Sequence, residues 1–179
     1  HSVSSLMISK MQGNIIDILY APLSALEVTL AIIFAAVTRS IVIGFISSVV
    51  FILIIDMPIK SFFFIFYSSF FGSFFIGSLG FISGLWATKF DHTATVTNFI
   101  IQPLSFLSGV FYTIDKLPIF FQQISYFNPF FHIINIFRYG FLGVYDGHLL
   151  FGMFYLPVLA FVGWLVAFVL FKKGYKIKS

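Results

Sequence analysis

Residues 149–171 read LLFGMFYLPVLAFVGWLVAFVLF, an unbroken apolar run with no charged side chain, followed at once by Lys172, Lys173, Lys176 and Lys178. A helix of about 20 apolar residues crosses the hydrocarbon of a bilayer, and a cluster of Lys just beyond such a run marks its cytoplasmic end. This stretch is therefore a membrane span, and the rest of the chain agrees with it. Of 179 residues, 60% are hydrophobic, 21% aromatic and 9% charged, where an ordinary soluble domain carries about 25% charged residues. The 28 Phe cannot be hidden beneath so few charges in water, so the solvent for most of the chain is lipid. The net charge of +4 does not point to nucleic acid, because the basic residues stand singly until the terminal Lys group. With no Cys, disulfides and thiolate metal sites are excluded. His1 stands where a start Met would, and no signal-peptide pattern follows it, so the sequence reads as a piece of a longer chain.

Working outward, three further spans are expected, giving an all-α polytopic transmembrane helical bundle of about four spans. Residues 1–23 are too polar to cross a bilayer; Ile15, Ile16, Ile18 and Leu19 at helical spacing suggest an amphipathic helix at the membrane surface. Pro22 ends it, and Ser24 is placed to cap the next helix. The first span lies within Ser24 to Ile55, taken as about Ala36 to Ile55, which leaves Glu27 outside the lipid and sets Arg39 near an interface as an anchor. Asp56, Met57, Pro58 and Lys60 make a tight turn. The second span, about Ser61 to Thr88, carries Ser69, Ser73, Gly77, Gly80 and Gly84 at three- and four-residue spacing, a small-residue face suited to helix packing. The third, about Thr93 to Tyr112, has Pro103 at its middle, where a kink is expected and neighbouring helices must meet the freed carbonyl. With four alternating spans and a cytoplasmic tail, seven Lys and Arg lie inside and three (Lys60, Lys116, Arg138) outside, which is the positive-inside bias.

Residues 113–147 do not fit a plain bundle, being too apolar for a solvated loop. Leu117-Pro118 opens an apolar run, Asn128-Pro129 breaks it, and Phe130 to Phe141 continues it with His132, Asn135 and Arg138. Two short helices about a proline turn are expected. Neither is long enough to span, so the pair reads as a re-entrant hairpin dipping in from the outer face.

Pro103 with Leu107-Ser108-Gly109-Val110-Phe111-Tyr112, then Leu117-Pro118, Asn128-Pro129 and Phe137-Arg138-Tyr139-Gly140, resembles the permease subunit of type-2 ATP-binding-cassette (ABC) exporters. The front end agrees: Ser4-Ser5-Leu6, Lys10-Met11-Gln12-Gly13 and Ala21-Pro22-Leu23-Ser24 are similar to that family's cytoplasmic connection between its second and third spans. The resemblance implies a six-span permease of the bacterial inner membrane with a cytoplasmic C-terminus, present here without its first two spans. It further implies a homodimer that docks cytoplasmic ATPase subunits, and these partners bind the ATP and Mg. Residues 1–23 would then hold a coupling helix at roughly Ser9 to Leu19, with Lys10, Met11, Gln12, Gly13 and Asp17 facing the ATPase. The hairpin residues Pro118, Asn128, Pro129, Arg138, Tyr139 and Gly140 would form an outer gate.

Each reading has a plainer one beside it. Lys10 to Asp17 by composition is an ordinary interfacial helix. Arg138 sits among apolar residues and needs a partner; Asp115 and Asp146 are nearest in sequence, and a structural ion pair is the plainer role. Ser73, Gly77, Gly80 and Gly84 read as helix packing within or between subunits. His92, His132 and His148 show no metal spacing and read as satisfied or interfacial. No Gly-Lys dipeptide occurs, so no phosphate-cradling loop can be built and this chain hydrolyses no ATP by itself. Ser83-Gly84 and Ser108-Gly109 lack the Gly two residues earlier that intramembrane serine proteases use, and the six acids are too dispersed for a metal-dependent transferase. A secondary transporter or channel with a re-entrant helix is the alternative; it lacks the mid-span carboxylate such proteins use for ion coupling.

Overall fold

The computed structural model describes residues 8, 23–55, 58–87, 90–110 and 118–175. Every element among them is helical: α1 (Ala25–Ile55), α2 (Phe62–Trp86), α3 (Phe90–Val96), a π-turn π1 (Thr97–Ile101), α4 (Gln102–Phe106), α5 (Ile119–Phe127), α6 (Pro129–Leu142) and α7 (Leu149–Lys172). Helices α1, α2 and α7 are long and apolar enough to cross a membrane. The amphipathic stretch expected at 9–19, with Lys10, Met11, Gln12, Gly13 and Asp17, lies outside the described residues, as does Asp115.

Local chemistry sets the helix ends. Ser24 caps α1 as the sequence suggests: Glu27 Oε2 accepts from both the Ser24 N–H (2.7 Å) and its hydroxyl (2.8 Å), and the Glu27 N–H donates to Ser24 Oγ at 3.3 Å. This reciprocal pair is a capping box. From there α1 continues for 31 residues, about 46 Å at the helical rise and well beyond the hydrocarbon thickness of about 30 Å. At the other end of the fold, α6 closes on Gly143, whose φ of 71° is the left-handed conformation that glycine adopts freely.

The third expected span takes a different form. A helical segment runs from Phe90 to Phe106 and stops there, short of Tyr112, and its pitch widens at π1, where the Gln102 N–H donates to the Thr97 carbonyl five residues back. The physical reason is Pro103, which lacks an N–H and crowds the preceding turn. A π-turn just ahead of it absorbs that mismatch. Beyond Phe106 the chain leaves the helix at Leu107 and reaches a positive φ at Gly109.

Helix α2 is the hub, contacting α1, α6 and α7. Gly77 faces Ile33 and Ala36 of α1, while Val49 and Ile52 further along α1 line a cavity with Phe62 and Ile65 at the start of α2, so the two run antiparallel. Helix α7 runs parallel to α2: the Tyr67 hydroxyl donates to the Met153 carbonyl, Gly163 sits against Ser78, and the Phe81 and Phe171 rings meet edge-on at 5.8 Å. Val28, Ile33, Val37, Phe81, Leu85, Ala167 and Phe171 form the buried core of this trio. Many of the remaining large apolar side chains face outward, Phe45, Leu53, Phe63, Phe154 and Phe161 among them, which is the surface that lipid requires.

The α5–α6 hairpin packs along the first half of α2. Gly140 lies against Ser61 and Ile65, and Ile133 lies against Gly72, ten positions beyond Phe62. Its tip at Asn128 is therefore carried about 15 Å or more along α2 from the α1–α2 loop. The Gly140 carbonyl accepts from both the Lys60 N–H (3.0 Å) and the Ser61 N–H (2.9 Å), tying that loop to α6.

Candidate functional site

The Asn128-Pro129 pair builds the hairpin tip. Asn128 Oδ1 caps α6 by accepting from the Phe130 N–H at 3.0 Å, and Pro129 occupies the first turn, where a missing N–H is harmless. The same side chain reaches across to α4, donating through Nδ2 to the Leu104 carbonyl at 2.6 Å. Ser125 Oγ donates to the Leu107 carbonyl at 3.2 Å, and Arg138 Nη2 to the Gly109 carbonyl at 2.7 Å. Three side chains of the hairpin thus meet carbonyls at and beyond the C-terminal end of the broken helix, groups that otherwise have no partner within it. These carbonyls lie downstream of Pro103; the one Pro103 itself frees is that of Phe99.

Arg138 has the partner its setting demands. Nη1 meets Asp146 Oδ2 at 3.0 Å, with the two side chains 22% and 19% exposed. Asn135, fully buried, braces the same aspartate by its backbone, donating to the Asp146 carbonyl at 2.8 Å and accepting its N–H at 3.2 Å. The loop 143–148 is strapped to α6 by these contacts. Tyr139 packs its ring edge-on against Phe64 of α2 at 4.8 Å, and the Pro118 carbonyl accepts the Phe121 and Gln122 N–H groups that start α5.

A second polar knot sits inside the hairpin. His132 is 1% exposed; its Nε2 contacts the Tyr126 carbonyl at 2.8 Å and its Nδ1 the Tyr145 hydroxyl at 3.2 Å. A carbonyl only accepts, so Nε2 carries the proton and Nδ1 accepts from Tyr145. Burial holds the imidazole below its usual range, against a smaller opposing effect from the Tyr126 carbonyl. Burial, helped by the charges of Asp146 and Tyr126, pushes the Tyr145 phenol up to about 12, so it stays a donor. Tyr155 Oη donates to the Phe127 carbonyl at 2.6 Å, closing the knot onto α7.

The remaining sequence-selected residues are placed as follows. Glu27 is the capping-box acid of α1. Gly77 contacts α1, and Gly84 is buried. Ser73, Gly77 and Gly80 face Arg39 across a cavity of about 280 Å³ bounded by α1, α2, α3 and π1. Since Gly77 sits opposite Ile33 and Ala36 in an antiparallel pair, Arg39, one turn further along α1, is level with about Ser73, close to the middle of α2. Sequence reading passed over Ser125, Tyr126, Tyr145 and Tyr155, whose partners are distant in the chain. It also passed over Ser40, Thr93 and Thr97, which line the Arg39 cavity; the four-residue spacing of the two Thr was the available signal.

Residues 2–142 match the family described as ABC-2 type transporter. The inner membrane transport permease YadH of Escherichia coli (strain K12) is 30% identical over 178 residues, which is 98% of this chain and 69% of that protein. The YadH permease of Shigella flexneri matches to the same extent. Nodulation protein J of Rhizobium leguminosarum bv. viciae is 38% identical over 66 residues, 37% of this chain and 26% of that protein. No solved structure matches the chain.

Proposed function

The chain belongs to the ABC-2 type transporter family, as a multi-pass permease component of the inner membrane, and from that premise we propose that it moves substrate outward using ATP hydrolysed by a separate ATPase. The permease works as a homodimer, and each copy docks one ATPase, which binds ATP and Mg. The C-terminus is cytoplasmic, as the four-Lys tail favours. The coupling contact lies in residues 1–23, through Lys10, Met11, Gln12, Gly13 and Asp17. Closure of the ATPase pair pushes there, tilts α1 and opens a path between the two permease copies.

The observation that carries an outward path is the hairpin. Two helices too short to span are held against α2 and clasped to the end of a broken helix by Asn128, Ser125 and Arg138. In this reading the hairpin enters from the outer face, and Pro118, Asn128, Pro129, Arg138, Tyr139 and Gly140 form the exit gate, opened by releasing that clasp. Glu27, at the capped start of α1, lies outside the lipid, and Arg39 is the charge within the first span.

The test is to express the complete reading frame with its neighbouring genes and purify it in detergent. A stoichiometric co-purifying ATPase with vanadate-sensitive hydrolysis is expected; a permease that comes out alone with no hydrolysis in any preparation refutes the coupling. Arg138→Ala should then abolish export with ATPase docking intact, and wild-type export by this variant would refute the gate.

A further inference from the structure

Among the cavities that open between the described helices, two are lined by apolar side chains and small residues. One lies between α1, α2 and α7 around Phe34, Phe74 and Trp164, the other between α1, α2 and α6 around Phe45, Phe66 and Phe137. A third differs. Among the residues lining the Arg39 cavity are five hydroxyl side chains, Ser40, Ser73, Ser83, Thr93 and Thr97, and one charge, that of Arg39.

Arg39 has no acidic partner among the described residues. Its nearest acid on α1 is Glu27, twelve residues away and about 18 Å down the helix, and that carboxylate is occupied by Ser24. Asp91 does not line the cavity. A guanidinium held near the middle of a membrane helix is costly unless an anion or water meets it, and such a residue is a functional site by default. The walls around it are sorted by polarity. The hydroxyls of Ser40, Ser83 and Thr97 donate to the carbonyls of Ala36, Leu79 and Thr93, so the oxygens they turn outward are acceptors. The donors left for a ligand are the guanidinium, whose flat fork suits phosphate, and the Ser73 hydroxyl. Opposite them stands π1, and π-turns are frequent at functional sites. The cavity, about 280 Å³, is close to the lower end of ordinary ligand pockets.

We propose that this cavity binds a phosphate group carried on an amphiphile, the phosphate on Arg39 and Ser73, with a protonated phosphate oxygen donating to the acceptor oxygens of Ser40, Ser83 and Thr97. The inference does not depend on the direction of transport or on ATP coupling. Its ligand could be drawn from lipid or from free phosphate, and the chemistry at Arg39 is the same for both.

The complete permease, purified in detergent, is titrated with short-chain phosphatidic acid, with diacylglycerol of the same chains, and with inorganic phosphate, and its melting temperature is followed. Phosphatidic acid should raise the melting temperature saturably, diacylglycerol should not, and Arg39→Met should weaken the apparent affinity about tenfold or more, in keeping with a charge-assisted hydrogen bond. Arg39→Lys should recover part of it. A matching shift from inorganic phosphate alone would assign the site to the free anion and overturn the amphiphile. Equal shifts in wild type and Arg39→Met, or from diacylglycerol and phosphatidic acid alike, would overturn the site; the Lys of the tail are the same in both proteins and cannot account for a difference. If Arg39→Met fails to fold, Thr97→Leu fills the cavity and keeps the charge. It should abolish the phosphatidic acid shift, and an unaltered shift would refute the proposal.

Discussion

Replacing Gly140 by Ala tests whether the hairpin is seated as described. A Cβ at this position would stand 2.5 Å from Ile65 Cγ1, 2.9 Å from the Ile65 backbone nitrogen and 3.1 Å from the Ser61 carbonyl oxygen, where ordinary contacts begin at 3.4 Å. Two of the three obstacles are backbone, so α6 must retreat by about an ångström. That same movement draws the Gly140 carbonyl from the Lys60 and Ser61 N–H groups, now at 3.0 and 2.9 Å, to beyond hydrogen-bonding range. Two hydrogen bonds at about 1 kcal/mol each and an overpacking strain of about 1–3 kcal/mol are offset by the roughly 1 kcal/mol that Ala gains over Gly in a helix. A net loss of about 2–4 kcal/mol remains, which for a chain of this size lowers the melting temperature by roughly 4–16 °C. The assay is survival of the monodisperse peak on size-exclusion chromatography after stepwise heating in detergent. Gly44→Ala is the control, since nothing lies within 4 Å of a Cβ there, and it should be neutral or slightly stabilising. A Gly140→Ala protein that melts with the wild type would show that α6 does not rest on the start of α2.

Arg138→Met should destabilise by about 1–3 kcal/mol, because it leaves the Asp146 carboxylate and the Gly109 carbonyl unmet in a partly shielded site; the double variant with Asp146→Asn should lose less than the sum of the single losses in a double-mutant cycle read by melting. Asn128→Ala removes the α6 cap and the bond to Leu104 together, an expected loss of about 2–3 kcal/mol, measured in the same way. His132 gives a pH dependence. Its folded-state pKa lies below the usual value, so the stability it contributes is complete above about pH 6.5 and is lost as pH falls from there through the folded value. Melting at pH 5 should be below that at pH 7.5 for the wild type, and His132→Gln, whose amide can donate to the Tyr126 carbonyl and accept from Tyr145 without titrating, should flatten the difference.

What could be read from the sequence was local. Ser24 ahead of its helix, Asn128 before Pro129, and the uncharged run ending at Lys172 each carry their own chemistry within a turn or a single helix, and each element stands where that chemistry puts it; the reply of Glu27 to Ser24 was not read. The end of the third helix at Phe106 was not legible, because it depends on how a π-turn absorbs Pro103 and on hairpin side chains that accommodate the carbonyls beyond. The level of Arg39 could not be read either, since it follows from the register of α1 against α2 set by Gly77. In the candidate site, the need of Arg138 for an acid was visible. The choice of Asp146 and the additional bond to Gly109 come from the loop folding back on α6, a contact no periodicity encodes.

The clasp also constrains the order of assembly. Ser125, Asn128 and Arg138 bond to carbonyls 18, 24 and 29 positions earlier in the chain, and Tyr155 reaches back 28 to Phe127. Until α2, α4 and α7 are in place, the 9 and 14 residues of α5 and α6 have neither the helices they pack on nor partners for their polar groups. The clasp can therefore close only once α4 and the hairpin are both made, and the hairpin is tied down last, after the chain has passed beyond it into α7.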